Sequence, residues 1–188
     1  MSWDEEMLEP AKPRPLSEVE IACISLAYGD VVPNNPALEV LMYPSVLPRT
    51  CGATAICRLL TVNGWAGAWT FTVYPFQHFH PNAHEVLVVA SGSAELQLGG
   101  PEGDIYPVTA GDALILPAGT GHCRIEATSS FSICGAYPLG QENYETVNVD
   151  YPDPHIDYTG MSARIATVPL PVTDPIYGPN GPLTEIWT

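Results

Sequence analysis

Residues 78–92 read HFHPNAHEVLVVASG and hold three of the five histidines in the chain. His78 and His80 stand two apart. On a β-strand that spacing turns both imidazoles to one face and Phe79 to the other. Pro81, Asn82 and Ala83 make a turn, and the apolar run from Glu85 opens the next strand. A carboxylate arriving on a neighbouring strand is well placed to join two histidines on one metal ion. The stretch therefore predicts strand, turn, strand, with a metal site at the junction.

The rest of the chain agrees with a β protein. It has 188 residues, 46% of them hydrophobic, with 20 Pro and 16 Gly. That is enough for one domain with a real core, and it disfavours a long helical bundle. The formal net charge of −15 repels phosphate backbones and anionic membrane surfaces, so nucleic acid and membrane are not expected partners. No apolar run approaches the length of a membrane span. The five cysteines are odd in number and lack a CxxC pair. The acidic start MSWDEEMLEP carries no apolar secretory segment. A cytoplasmic protein with reduced thiols is the expectation, with the cysteines as packing residues.

Residues 1–15 are charged and Pro-rich and read as a loose N-terminal arm. Residues 18–29 read as extended, although Ser17 and Glu20 also fit a helical capping box. PNNP at 33–36 is a turn and LEVLMY at 38–43 a strand. Ile56, Leu59 and Leu60 lie at helical spacing within 51–62, and Asn63-Gly64 supplies the stop. From 67 to 137 short strands follow one another: WTFTVYPF, EVLVVASG, AELQLGG, DIYPVTAG, DALILPAG, HCRIEA and FSICGAYP. Short strands between turn signals indicate a single sandwich or barrel. The tail from 150 to 188 is rich in Pro and Asp yet carries Ile, Leu, Tyr and Trp187. It reads as ordered without regular structure, packed across the outside of the barrel.

A further ligand is available from GDALILPAGTGHCRIE, residues 111–126, where a strand ends in a Pro117-Ala-Gly119 turn and the next opens with His122. Two or three histidines with one carboxylate suit Fe²⁺, Mn²⁺, Ni²⁺, Co²⁺ or Zn²⁺.

These two stretches resemble the paired motifs of the cupins. His78, His80, Glu85 and Gly92 stand at the spacing of the first motif, and Gly111, Pro117, Gly119 and His122 at that of the second. PNNPALEVLMY, NGWAGAW, GAYPLGQ and VPLPVTDPIYGPNGPL extend the likeness to the YjlB-like cupins, from about residue 29 to the C-terminus. The resemblance implies a mainly β fold, one cupin jelly-roll barrel or double-stranded β-helix with the metal inside one end, to which the residue pattern adds one short outer helix and the Pro-rich extension. It makes His78, His80, Glu85 and His122 the ligands of one divalent transition metal, Fe²⁺ or Mn²⁺ favoured. It also implies a homodimer. The sequence departs from the motifs at Thr72, where a Gly is usual, and at Glu126, where an Asn is usual.

Around these ligands other residues carry candidate roles. Arg124 and Glu126 share the parity of His122 and are expected to face inward, Arg124 to attract a substrate anion and Glu126 to act as a general base. An Arg–Glu pair bracing the wall is the other reading. Tyr74, just before the histidines, can donate a proton to a bound substrate or serve as wall. His84 points away from Glu85 by alternation. It is either an outer hydrogen-bonding residue or a ligand, or one that orients a ligand. Trp65 and Trp69 read as core or pocket lining, Cys123 as a buried small hydrophobe, and His155 as a surface residue. The expected function is metal-dependent catalysis on a small organic molecule. O₂-dependent oxidation leads, with isomerisation, decarboxylation or cyclisation as Lewis-acid variants. Non-catalytic metal or small-molecule binding is the alternative, and a storage-type structural role is the third reading.

Overall fold

Strand alternation is hard to read over much of this chain because its central strands are buried on both faces. The structure, a computed structural model, describes residues 9–29 and 31–188. Its strands are β1 (Ala22–Ile24), β2 (Val40–Tyr43), β3 (Trp65–Phe71), β4 (His78–Phe79), β5 (Glu85–Ser91), β6 (Ser93–Leu98), β7 (Ile105–Thr109), β8 (Ala113–Leu116), β9 (His122–Ala127), β10 (Ser132–Pro138) and β11 (Val147–Asn148). Helices are α1 (Ala53–Val62), α2 (Met161–Ala166) and α3 (Leu183–Ile186). Two antiparallel sheets form the mainly β, jelly-roll fold. One runs β1-β2-β8-β5-β10-β3 and the other β11-β4-β9-β6-β7.

Between the sheets, Leu87, Val89, Leu114 and Ile133 of the first meet Leu96, Leu98 and Val108 of the second. The outer face of the first sheet is equally apolar. Val86, Val88, Ile115 and Ala136 pack under Ile56, Leu59 and Leu60 of α1 and under Ile176, Leu183 and Trp187 of the tail. Two buried faces explain the continuous run EVLVVA in β5. Glu85 shares parity with Leu87 and Val89, so it enters the space between the sheets, whereas His84 goes to the outer side.

The helix lies where its periodicity puts it, with Ile56, Leu59 and Leu60 buried. Residues 18–29 take the extended reading. Ser17 falls in a 3-10 turn, Leu16–Glu18, and β1 follows. Residues 1–8 of the expected loose arm lie outside the described residues. Its described part is tied down, with the Ala11 amide donating to the Ala55 carbonyl at 2.9 Å and the Arg14 amide to that of Val46 at 2.8 Å.

The tail differs from its reading in one respect: it contains α2 and α3, both short. Asp174 organises its end. This fully buried carboxylate accepts from the Tyr43 hydroxyl at 2.6 Å and from the amides of Ile176, Tyr177 and Leu183. Those bonds fold a Pro-interrupted segment onto the sheet, as a ladder does for a strand. No helix among the described residues is long and apolar enough to cross a membrane.

Candidate metal centre

His78 on β4 lies directly across from His122 on β9. Phe79 alternates outward and is buried with Met161 and Ile165 of α2. His80, just past β4, is anchored by the Gly119 amide, which donates to its carbonyl at 2.8 Å. Gly119 holds φ +88, and a Cβ there would sit 2.9 Å from the Asn34 carbonyl oxygen, so the Pro117-Ala118-Gly119 turn requires glycine. His84 braces the same turn from outside, its Nδ1 accepting from the Ala118 amide at 2.9 Å. It is fully buried, 5.0 Å from the Trp187 ring, and burial pushes its pKa down to about 4. It is the hydrogen-bonding residue of the outer side and not part of the histidine cluster.

Each clustered imidazole has its Nδ1 on a backbone carbonyl: His78 on Phe76 at 3.1 Å, His80 on Glu145 at 2.7 Å and His122 on Thr120 at 2.9 Å. A carbonyl only accepts, so the proton belongs on Nδ1 and the Nε2 lone pairs are left free. The ligand nitrogens of the three residues lie within 4.8 Å of one another, and all three side chains are buried. Glu85 reaches in from the facing sheet. Its Oε2 is 3.4 Å from His80 Nε2 and 3.3 Å from His122 Nε2, and it has no hydrogen-bond partner among the described residues. A buried carboxylate oxygen left without a donor beside three free imidazole lone pairs is costly unless a cation takes the centre. The donor set fits a divalent metal.

Electrostatics separate the three histidines, keeping His78 neutral and drawing positive charge to His80 beside the Glu85 carboxylate. Burial, with His122 and His80 beside it, pushes His78 far below the ordinary imidazole range, so it stays neutral. Burial also opposes charge on His80, but Glu85 outweighs it and raises the pKa. Full burial works against ionisation of Glu85, yet His80 and His122 hold it well below the usual carboxylate range.

Sequence reasoning did not single out Tyr137 or Tyr144. The Tyr137 hydroxyl donates to Glu85 Oε1 at 3.0 Å and accepts from Trp69 Nε1 at 3.1 Å. Burial, then Glu85, raises its pKa far above that of a free phenol, so the proton stays on the ring oxygen. Tyr144 stacks on Tyr137 with centroids 4.2 Å apart and lies 4.8 Å from the His80 ring. These residues line a cavity of about 220 Å³ whose floor is His78, His80, Glu85 and His122. Tyr74 also lines it, 5.1 Å from the His78 ring and 44% exposed at the mouth.

Two expectations are corrected here. Arg124 and Glu126 do not line this cavity. On β9, Arg124 pairs with Leu96 and Glu126 with Glu95, so Ile125 is an extra, bulged residue. Arg124 precedes the bulge and keeps the parity of His122, half-buried opposite Leu96 with its amide on the Tyr74 carbonyl at 2.9 Å. Past the bulge the parity inverts, and Glu126 is exposed opposite Glu95. The expected run WTFTVYPF also breaks. The strand spans Trp65–Phe71, and Thr72–Gln77 cross to the second sheet without strand pairing.

Residues 67–130 match the family described as the cupin domain. The uncharacterised protein YjlB of Bacillus subtilis strain 168 is 35% identical over 157 residues, covering 83% of this chain and 90% of that one. The chain is a cupin of the YjlB family. Solved structures similar to this cupin include a Klebsiella pneumoniae protein with a double-stranded β-helix domain, at 15% identity and TM-score 0.35, covering 80% of this chain and 96% of that one. Acireductone dioxygenase from Bacillus anthracis, with cadmium in its active centre, has 15% identity and TM-score 0.34 over 46% of this chain and 58% of its own. The coconut 11S allergen has 19% identity and TM-score 0.35 over 44% of this chain. This cupin spans only 24% of that allergen chain.

Proposed function

We propose that this cupin holds one divalent transition metal on His78, His80, Glu85 and His122 and works on a small organic molecule in the adjoining cavity. The observation that carries the reading is the convergence of three buried Nε2 lone pairs and the unpartnered Glu85 Oε2 on the cavity floor. Imidazole nitrogens with one carboxylate favour Fe²⁺ or Mn²⁺ and accept Zn²⁺, Ni²⁺ or Co²⁺. When bound, such an ion polarises an oxygen-bearing substrate and, as iron, supports O₂-dependent oxidation; isomerisation, decarboxylation and cyclisation are its Lewis-acid variants.

The chain's own residues do the rest. Three carbonyls fix the imidazole tautomers, and Tyr137 orients Glu85 while keeping its own proton. Leu87 and Ile133 keep the inner wall apolar. Of the acid–base residues expected from sequence, Tyr74 alone is on the cavity wall, and its hydroxyl is the proton carrier at the mouth.

A non-catalytic binding role is the second reading. It is favoured by the placement of Arg124 and Glu126 outside the lining and by the commitment of Tyr137 to Glu85. The two separate on metal-loaded protein offered a panel of small oxygen-bearing molecules, with oxygen uptake and NMR of the small molecules as readouts. Turnover that His122→Ala abolishes supports the enzyme. Tight binding without turnover for any metal supports the binding protein.

A further inference from the structure

The cavity above the histidines limits what it admits. Its volume is about 220 Å³. A cavity of roughly 150 Å³ holds benzene, and pockets for drug-sized ligands begin near about 300 Å³. The space fits one ring with small substituents.

The walls are aromatic: Trp69, Phe71, Tyr74, Tyr137 and Tyr144. The Trp69 indole lies against Gly135. A Cβ on that glycine would come within 2.2 Å of Trp69 Cζ2, so the indole keeps this position only because residue 135 lacks a side chain. The Trp69–Tyr137 hydrogen bond fixes its edge. At the mouth, Phe71, Tyr74 and Tyr144 are 63%, 44% and 40% exposed. Three aromatic side chains left open to water around one entrance are the surface that a flat apolar guest would cover.

Among the described residues the lining contains no Lys or Arg, and its one carboxylate is Glu85. A substrate carboxylate or phosphate held away from the floor would find no cation there, within a chain of net charge −15. One polar wall group is spare: Thr72 Oγ1 is buried with no hydrogen-bond partner among the described residues. It is ready for a single polar ring substituent.

We infer that the cavity binds a single-ring aromatic compound with two adjacent oxygens and no further charged group. The oxygen pair faces His78, His80 and His122, the ring lies in the cavity against its aromatic wall, and a ring substituent bonds Thr72. The inference rests on the metal-centre reading for its oxygen pair.

Calorimetry on zinc-loaded protein tests it without turnover, with zinc content measured on the same sample. Catechol is the probe. Oxalate controls for chelation without a ring, and phenol for a ring without the second oxygen. Catechol is expected to bind roughly tenfold tighter than either. Phe71→Ala and the exposed-loop variant Tyr144→Ala, both at the mouth, should each weaken catechol while retaining zinc and leaving oxalate unchanged. Zinc-bound protein that takes oxalate as well as catechol, or whose two variants bind catechol normally, overturns the inference alone. Protein that holds no zinc overturns the metal-centre reading and this inference with it.

Discussion

The Tyr137 hydroxyl donates to Glu85 Oε1 at 3.0 Å, and this bond decides which carboxylate oxygen faces the histidines. With Oε1 satisfied, Oε2 is the atom left beside His80 and His122. Tyr137→Phe removes the donor and strands a buried oxygen, at a cost of about 1–3 kcal/mol to the metal-free fold. Loss of such a supporting bond weakens metal affinity by about 10–100-fold. A melting curve and a metal titration on the variant check both; unchanged affinity would mean that Tyr137 does not orient the carboxylate.

Gly135→Ala attacks the same wall from the other side. The new methyl meets the Trp69 indole at 2.2 Å, and the indole must move because the contact is with its ring atoms. We expect a loss of about 1–3 kcal/mol, together with a changed near-ultraviolet circular dichroism spectrum. A variant with wild-type melting and spectrum would contradict the packing described.

Glu126 and Glu95 face each other across β6 and β9, both exposed. Like charges directly opposed destabilise an antiparallel pair. Glu126→Lys should therefore gain a few tenths of a kcal/mol in urea unfolding and keep full metal affinity. Loss of metal in this variant would restore Glu126 to the site.

The Cys57 sulfur lies 3.5 Å from Thr70 Oγ1, which is also 3.5 Å from the sulfur of Cys134. Cys134 donates to the Ala53 carbonyl at 3.4 Å. The neighbouring thiol Cys134 lowers the pKa of Cys57 against opposing burial, with Thr70 assisting, while that of Cys134 is raised. The thiolate is the reactive form. Alkylation of Cys57 should therefore rise at lower pH than that of an ordinary thiol, whose pKa is about 8.5. Cys134→Ala should move the midpoint upward. Peptide mass spectrometry across pH reads the site directly, and a Cys57 midpoint at or above that of an ordinary thiol in the parent would contradict the influence of Cys134 on it.

Much of the centre was legible because it depends on local geometry. His-x-His reports a shared face in any strand, and Gly119 marks the turn that delivers His122. The supporting shell was not legible. Tyr137 sits on β10, whose two faces are both buried, so no polar–apolar alternation shows which residues point inward. Ile125 adds one residue to β9, and nothing in HCRIEA announces a bulge; counting by twos therefore put Glu126 on the wrong face. The short helices of the tail depend on long-range bonds to Asp174, which sequence periodicity does not carry.

The most direct measurement is the metal content of untagged protein purified without oxygen, beside His122→Ala. The account predicts about one equivalent of iron or manganese per chain in the parent and loss of it in the variant. No metal in the parent, even after incubation with each candidate ion, would contradict it and leave His78, His80, Glu85 and His122 as polar packing.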